Sequence, residues 1–359
     1  MKKYIFVFGR NPKLSYAELL SYFRSFNFKY KLEYSMGKVA VFFVDKEIDI
    51  SKLGGTVKVA EVILENEIKD ADFYLGSKNK INYAISSYND NKYLSEFEGF
   101  LVKWFRKEKI KAMRKRNRES DFSPKELRNT CEFIVCDNYI GRTVLISNPK
   151  EYKERDRKRM HNDFIRSISI RLAKILINLS WGKNGKKLLD PFCGVGVLLE
   201  ESVYEKIECI GIEIDDKIRL KAIKNLKNLG AGSDFKVIKG DSAKINKYVD
   251  KVDCVASEPY LGPYLKNRPK KEGAIKIIKE LNKLYEEFFV NLKKILKKNG
   301  KVAMVFPIII ASDRKEYRLN LNKILEESGF KISKLDDVDF PIPYNEKKGV
   351  IGREIYVLE

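Results

Sequence analysis

The segment KKLLDPFCGVGVLLEE, from Lys186 to Glu201, constrains the fold more than any other part of the chain. A short hydrophobic run, Leu188 and Leu189, ends at Asp190; a turn then carries Gly194 and Gly196, and an apolar helical stretch follows. Strand, glycine turn and helix in that order open a doubly wound α/β domain. The glycines let the backbone approach a ligand and set a helix N-terminus beside it. A dinucleotide turn would read GxGxxG with no acid leading in, and a phosphate-binding P-loop would end in GK[ST]. Neither pattern is present.

Asp190 ahead of the glycines suits a cationic ligand instead, such as the amino-acid end of S-adenosylmethionine. Asp190, Phe192, Gly194 and Gly196 are therefore the first cofactor candidates. The next strand, IECIGIEID, ends with Glu213 and Asp215, placed to accept hydrogen bonds from ribose hydroxyls, Glu213 ahead of Asp215. A third strand, FKVIKGDS, brings Asp241 and Ser242 to the level of an adenine amino group. One such acid is easily a solvated side chain. Three on successive strand ends point to an adenosyl pocket.

The fourth strand, VDCVASEPYLGP, ends in Ser257, Glu258, Pro259 and Tyr260. This tetrapeptide resembles the [NDS]-P-P-[YFW] signature of methyltransferases that act on exocyclic base amines. Such an amine is a poor nucleophile, because its lone pair is delocalised into the ring, so a site must hold its hydrogens and aim it. On this reading the Ser257 hydroxyl and the Glu258 carbonyl are the acceptors, Pro259 stiffens the turn, and Tyr260 stacks on the base. Glu258 stands where the signature has proline; its carboxylate either meets a guanine edge or points into solvent. Cys193 reads as a packing residue in the cofactor turn. Cys254 lies three residues before Ser257, too early in its strand for the thiol of cytosine C5 chemistry.

The 359 residues suffice for two or three domains. A formal net charge of +21 favours a polyanionic partner. Between Lys103 and Arg118 nine of sixteen positions are Lys or Arg and only Glu108 is acidic, so Lys111, Arg114, Lys115, Arg116 and Arg118 are candidate RNA contacts. Apolar residues at helical spacing predict a helix over Gly99 to Lys111, and another over Phe164 to Ser180. The single histidine, His161, sits in a charged stretch and is expected at the surface; no metal site is expected. Five cysteines without paired spacing, and no secretory leader, lead to the expectation of a cytoplasmic protein. The longest apolar run, VAMVFPIIIA, is too short for a bilayer and reads as a buried strand.

With both motifs placed, the chain resembles the tRNA guanine-10 N2-methyltransferases that carry an RNA-binding THUMP domain. YIFVFGRNPKLSYAEL is similar to that family's opening, SDFSPKELRNTCEF and GRTVLISN to the end of its THUMP domain, and EYKERDRKRMHNDF to its linker. That linker holds an ERD triplet (Glu154, Arg155, Asp156) followed by Arg159 and Asp163. The closing FPIPYNEKKGVIGREIYVLE matches with Arg353 and Glu354. The resemblance implies an α/β fold. A Rossmann-like class I methyltransferase domain at residues 166–359, with a mostly parallel seven-stranded sheet, would follow a ferredoxin-like domain at 1–60, a THUMP domain at 61–149 and a linker at 150–165. It further implies S-adenosylmethionine as cofactor and tRNA as partner, no membrane, and a small activating subunit as a further candidate partner. Two alternatives stand beside it: a tRNA-binding protein with an inactive methyltransferase fold, and a DNA amino-methyltransferase.

Overall fold

The alternation of apolar strands with amphipathic helices resolves, in the computed structural model, into two units. One comprises Met1–Tyr16, Asn27–Ser51 and Gly55–Tyr152; the other comprises Ala17–Phe26, Lys52–Gly54 and Lys153–Glu359. The structure describes residues 1–359 except 69–79, 89–91, 118–121, 128, 162–166, 231, 233 and 345–349.

The N-terminal region contributes β1 (Lys2–Phe8), α1 (Pro12–Ser25), β2 (Tyr30–Met36), β3 (Val39–Val44), β4 (Thr56–Glu65) and β5 (Lys80–Tyr88). These are followed by α2 (Lys92–Lys107), β6 (Lys111–Arg114), β7 (Cys131–Cys136), β8 (Tyr139–Ile146) and α3 (Pro149–Lys158). The described strands form one sheet in the order β2-β3-β1-β4-β8-β7-β5-β6. The expected domain boundary at residues 60 and 61 falls inside β4, which pairs with β1 on one side and β8 on the other. Segments 1–60 and 61–149 therefore share a sheet. The apolar face of α2, Phe97, Leu101, Trp104 and Phe105, recurs at three- and four-residue spacing and packs on Tyr83, Ile85, Phe133 and Val135. The expected helix through Lys111 stops earlier. Lys109 takes a left-handed φ of 54°, and Lys111–Arg114 pairs with β5 as a strand.

A buried ion pair lies in this sheet. Lys58 Nζ donates to Glu132 Oε1 at 2.7 Å and to the Phe122 carbonyl at 3.0 Å, while Thr143 Oγ1 donates to Glu132 Oε2 at 2.6 Å and Ser86 Oγ to Glu132 Oε1. Both charged side chains are essentially inaccessible, at 1% and 0%. Glu132→Ala strands the Lys58 cation and is expected to cost about 3–5 kcal/mol in urea unfolding of the N-terminal unit. Lys58→Met combined with Glu132→Leu is expected to recover most of that loss. A double variant no more stable than Glu132→Ala would show that Glu132 acts through packing.

The second unit contains α4 (Ile170–Leu179), β9 (Lys187–Asp190), α5 (Val197–Tyr204), β10 (Glu208–Glu213), α6 (Asp216–Asn228), β11 (Phe235–Lys239) and β12 (Val252–Ser257). After these come α7 (Lys271–Ile295), β13 (Leu296–Ile310), β14 (Glu316–Arg318), α8 (Leu321–Ser328), β15 (Ile342–Pro343) and β16 (Ile351–Leu358). Helix α4 starts later than its apolar pattern suggests, because Ser169 caps it by accepting from the Leu172 amide at 3.2 Å. Part of the predicted helix, 164–166, lies outside the described residues. The strand order is β11-β10-β9-β12-β13-β16-β15, parallel from β11 to β13, with β16 antiparallel to both neighbours. The apolar run at Val302 to Ala311 is buried, almost all of it within β13. Helix α7 lays Tyr285, Phe288 and Phe289 against the sheet, where Phe289 stacks on Phe306 with ring centroids 6.0 Å apart. No described helix is long and apolar enough to cross a membrane.

This order sets the site. From β9 the chain runs outward through β10 and β11, then returns to lay β12 on the other side of β9. The crevice beyond the C-terminal ends of β9 and β12 is the switch point where doubly wound sheets bind ligands.

Candidate active site

Asp190 ends β9 and Ser257 ends β12, so the two meet across the switch point. Ser257 Oγ donates to Asp190 Oδ1 at 2.6 Å, and the Phe192 amide donates to the same oxygen at 3.2 Å. Neither bond uses Oδ2, and Asp190 keeps 4% of its surface accessible. Burial pushes its carboxyl up to about 7; the bonds from Ser257 and Phe192 pull it down, and the charges of Glu213 and Glu258 raise it. A cation at Oδ2 would reverse that balance.

The turn after Asp190 needs its glycines. Gly194 has φ 53° and Gly196 φ 91°, and a Cβ on Gly196 would lie 3.3 Å from that of Ala222. The Gly194 amide donates to Glu213 Oε2 at 3.1 Å, and the Asp215 amide to Glu213 Oε1 at 2.9 Å, so Glu213 ties the turn to the end of β10. Helix α5, which begins at this turn, is anchored from α3 and the residue after it. Arg159 grips Glu200 with Nε and Nη2 at 2.7–2.9 Å, and Arg155 lies 3.0 Å from Glu201.

The remaining candidates divide by what their side chains touch. Asp215 caps α6, accepting from the amides of Lys217 at 2.7 Å and Ile218 at 3.2 Å. Asp241 accepts from Ala243 at 3.0 Å through Oδ1 and caps the short 3-10 helix Ser242–Lys247. Ser242 is buried and donates to the Pro191 carbonyl, so it braces the glycine turn. Phe192 packs edge-on against Phe288, centroids 5.4 Å apart. Between Glu213 and Asp215 the pattern of acids hid an apolar neighbour: Ile214 is 67% exposed just beyond the end of β10.

At β12 the structure departs from expectation. Ser257 is wholly buried, with its proton given to Asp190, so in this conformation it presents no surface to a substrate. Glu258 does not project into solvent: its side chain is 13% exposed, and Arg353 Nε donates to its Oε1 at 2.8 Å. Pro259 is buried, and Tyr260 is 52% exposed with its carbonyl accepting from the Tyr285 hydroxyl at 3.3 Å. Arg353 escaped the reading of residues as a site partner because its pairing spans 95 positions. Cys193 and Cys254 are buried; burial holds the first thiol well above its usual range and pushes the second up to about 12, so neither is a nucleophile at neutral pH.

His161, expected to be solvated, is half-buried, its amide donating to Asn225 Oδ1 at 3.0 Å while Asn225 Nδ2 donates to the Val195 carbonyl. In the basic run, Arg114 forms a two-pronged pair with Glu98, one prong at 2.7 Å, and Lys115 Nζ donates to the Glu126 carbonyl. Lys111 and Arg116 are exposed; Arg118 lies outside the described residues, as does Asp163.

Two family models match the chain: an RMKL-like methyltransferase domain over residues 157–313, and a DNA methylase over residues 9–224, which stops short of the Ser257–Tyr260 segment. A probable tRNA (guanine(10)-N2)-dimethyltransferase of Methanothermococcus thermolithotrophicus is 35% identical over 163 residues, 44% of this chain and 86% of that protein. The chain belongs to the tRNA (guanine(10)-N2)-dimethyltransferase family. Family members from Methanothermobacter thermautotrophicus and Methanocaldococcus jannaschii align at 31% over 39% of this chain and 26% over 50% of it. Those two alignments span only 39% and 49% of the relatives' own lengths. Among solved structures, TrmN from Thermus thermophilus superposes with a TM-score of 0.54 at 14% identity, covering 99% of both chains. A possible methylase from Clostridium difficile 630 gives 0.50 at 14% identity, over 99% and 97% of the two chains. The family assignment and these likenesses agree on an α/β methyltransferase fold.

Proposed function

We propose that this chain transfers a methyl group from S-adenosylmethionine to the exocyclic N2 amine of a guanine in tRNA, at position 10. What carries the reading is family membership joined to an anionic cradle at the switch point of an otherwise basic protein. Asp190 would meet the ammonium of the cofactor, Gly194 and Gly196 its methionine end, Glu213 the ribose, and Asp241 and Ile214 the adenine. The cofactor supplies an electrophilic methyl group on a sulfonium. The protein's part is to hold the amine beside that methyl, with the Glu258 carbonyl as acceptor and Tyr260 as stacking surface.

The N-terminal unit serves the same reaction. It acts as a ferredoxin-like and THUMP region that grips tRNA through phosphates and shape, in the cytoplasm where tRNA is found. The test is to incubate the purified protein with an unmodified tRNA transcript and labelled S-adenosylmethionine, then digest and identify the labelled nucleoside. Labelled N2-methylguanosine or its dimethyl form is expected. Tight tRNA binding without label would instead mean an inactive methyltransferase fold. The match to a DNA methylase model favours one second reading, and label in duplex DNA in place of tRNA would establish it.

A further inference from the structure

With Ser257 buried and bonded to Asp190, any side-chain acceptor that joins the Glu258 carbonyl at the target base must come from elsewhere at the end of β12. The next side chain is a carboxylate. Glu258 keeps 13% of its side-chain surface accessible, and Arg353, at 17%, reaches it from β16. It stands beside the exposed Tyr260 and close enough to Asp190 for its charge to be felt there.

We infer that the Glu258 carboxylate, held by Arg353, reads the guanine edge and takes the proton released on methylation. The inference rests on the methyl-transfer reading above. Guanine carries two adjacent donors on its pairing edge, N1–H and N2–H, and a carboxylate offers two acceptor oxygens at matching separation. Adenine and cytosine present an amine beside a bare ring nitrogen, whose lone pair repels a carboxylate. A carboxylate has about four acceptor sites, so being held by Arg353 does not by itself preclude bonds from a base. Arg353 is a positioning residue: its guanidinium holds the neighbouring carboxylate in place through a charge-assisted bond.

The step balances. The N2 lone pair forms the bond to the methyl carbon, the methyl–sulfur bond breaks with its pair remaining on a now neutral sulfur, and the nitrogen loses one proton to Glu258. That proton then leaves through the accessible face of the carboxylate. Ser257 keeps a different task, fixing the end of β12 to Asp190.

The test uses the full chain, labelled S-adenosylmethionine, and two tRNA transcripts that carry either guanosine or 2-aminopurine at position 10. The analogue keeps the amine but has a bare acceptor at N1. The parent protein is expected to methylate guanosine about 100-fold faster than 2-aminopurine under single-turnover conditions, since a site built to accept a hydrogen rejects a partner lacking it. Glu258→Gln offers an N–H to that acceptor and a carbonyl to the amine, so its preference is expected to invert. Arg353→Lys is expected to retain most of the activity that Arg353→Met loses. Cofactor affinity measured at about pH 8.5, where Asp190 is ionised with or without the Glu258 charge, should be unchanged in all three variants, which separates a reading defect from misfolding.

Equal slowing of Glu258→Gln on both transcripts, or no slowing on guanosine, would overturn this assignment while leaving the methyl-transfer reading intact. Absence of label with the parent protein would overturn both.

Discussion

Asp190→Asn is expected to weaken S-adenosylmethionine binding by at least about 100-fold, because removing one member of a buried charge pair leaves the other desolvated and unpaired. The parent protein carries a pH signature that the variant should lack. Asp190 is buried, and its carboxyl sits at about 7 rather than the ordinary 3.8. In the cofactor-free protein this raised value works against the ionised fold: its contribution to stability is complete below the unfolded value and is lost as pH rises through about 7. Binding a cation requires the ionised form, so cofactor affinity should fall roughly tenfold per unit as pH drops below about 7 and level off above it. Asp190→Asn should be weak and flat across the same range. Ser257→Ala removes a bond that favours ionisation and should move the midpoint upward. Calorimetric titration between about pH 5.5 and 8.5 measures all three. An affinity independent of pH in the parent would remove Asp190 from the cofactor contact. Glu213→Ala should also abolish binding, since it removes the anchor that holds the Gly194 amide as well as the ribose acceptor. In neither variant should tRNA affinity change.

Local signals in the chain reveal what is local in the structure. Asp190, Glu213 and Asp241 fall at or just beyond strand ends because a hydrophobic run followed by an acid and a turn residue is a short-range pattern. What that pattern omits is partner choice. Asp190 and Ser257 are 67 positions apart, and Glu258 and Arg353 95, yet each pair is joined because the sheet order places β9 against β12 and β16 against β13. The same limit hid the continuity of the N-terminal sheet. Nothing within TVKVAEVILE announces that β4 pairs on both edges. Likewise Ile110 fits the helical spacing of α2, but Lys111–Arg114 gains more by pairing with β5 than by extending the helix. Asp215 and Ser242 look like ligand residues in sequence and are a helix cap and a brace in the fold, roles that depend on backbone amides and carbonyls to which a sequence motif is blind.

The basic run tests the proposed RNA surface in a way the sequence did not offer. Replacing Lys111 and Arg116, together with the exposed Lys103, Arg106 and Lys107 of α2, by glutamine is expected to weaken tRNA binding by one to two orders of magnitude, roughly, at physiological salt. Each phosphate contact removed should flatten the dependence of log affinity on log salt by about 0.7–0.9. Arg114 belongs to a different class, although it sits in the same run. Its guanidinium is held by both oxygens of Glu98, an interaction that raises its already high pKa. A cation neutralised within the fold has few counterions to displace from RNA. Arg114→Ala should therefore leave the salt slope unchanged while lowering the stability of the N-terminal unit by about 1 kcal/mol, modest because the pair is partly solvated. Filter binding across a salt series, beside urea unfolding of the same variants, separates the two effects. A slope unaltered by the five-residue replacement would return these lysines and arginines to ordinary solvated surface and leave tRNA recognition to other parts of the chain.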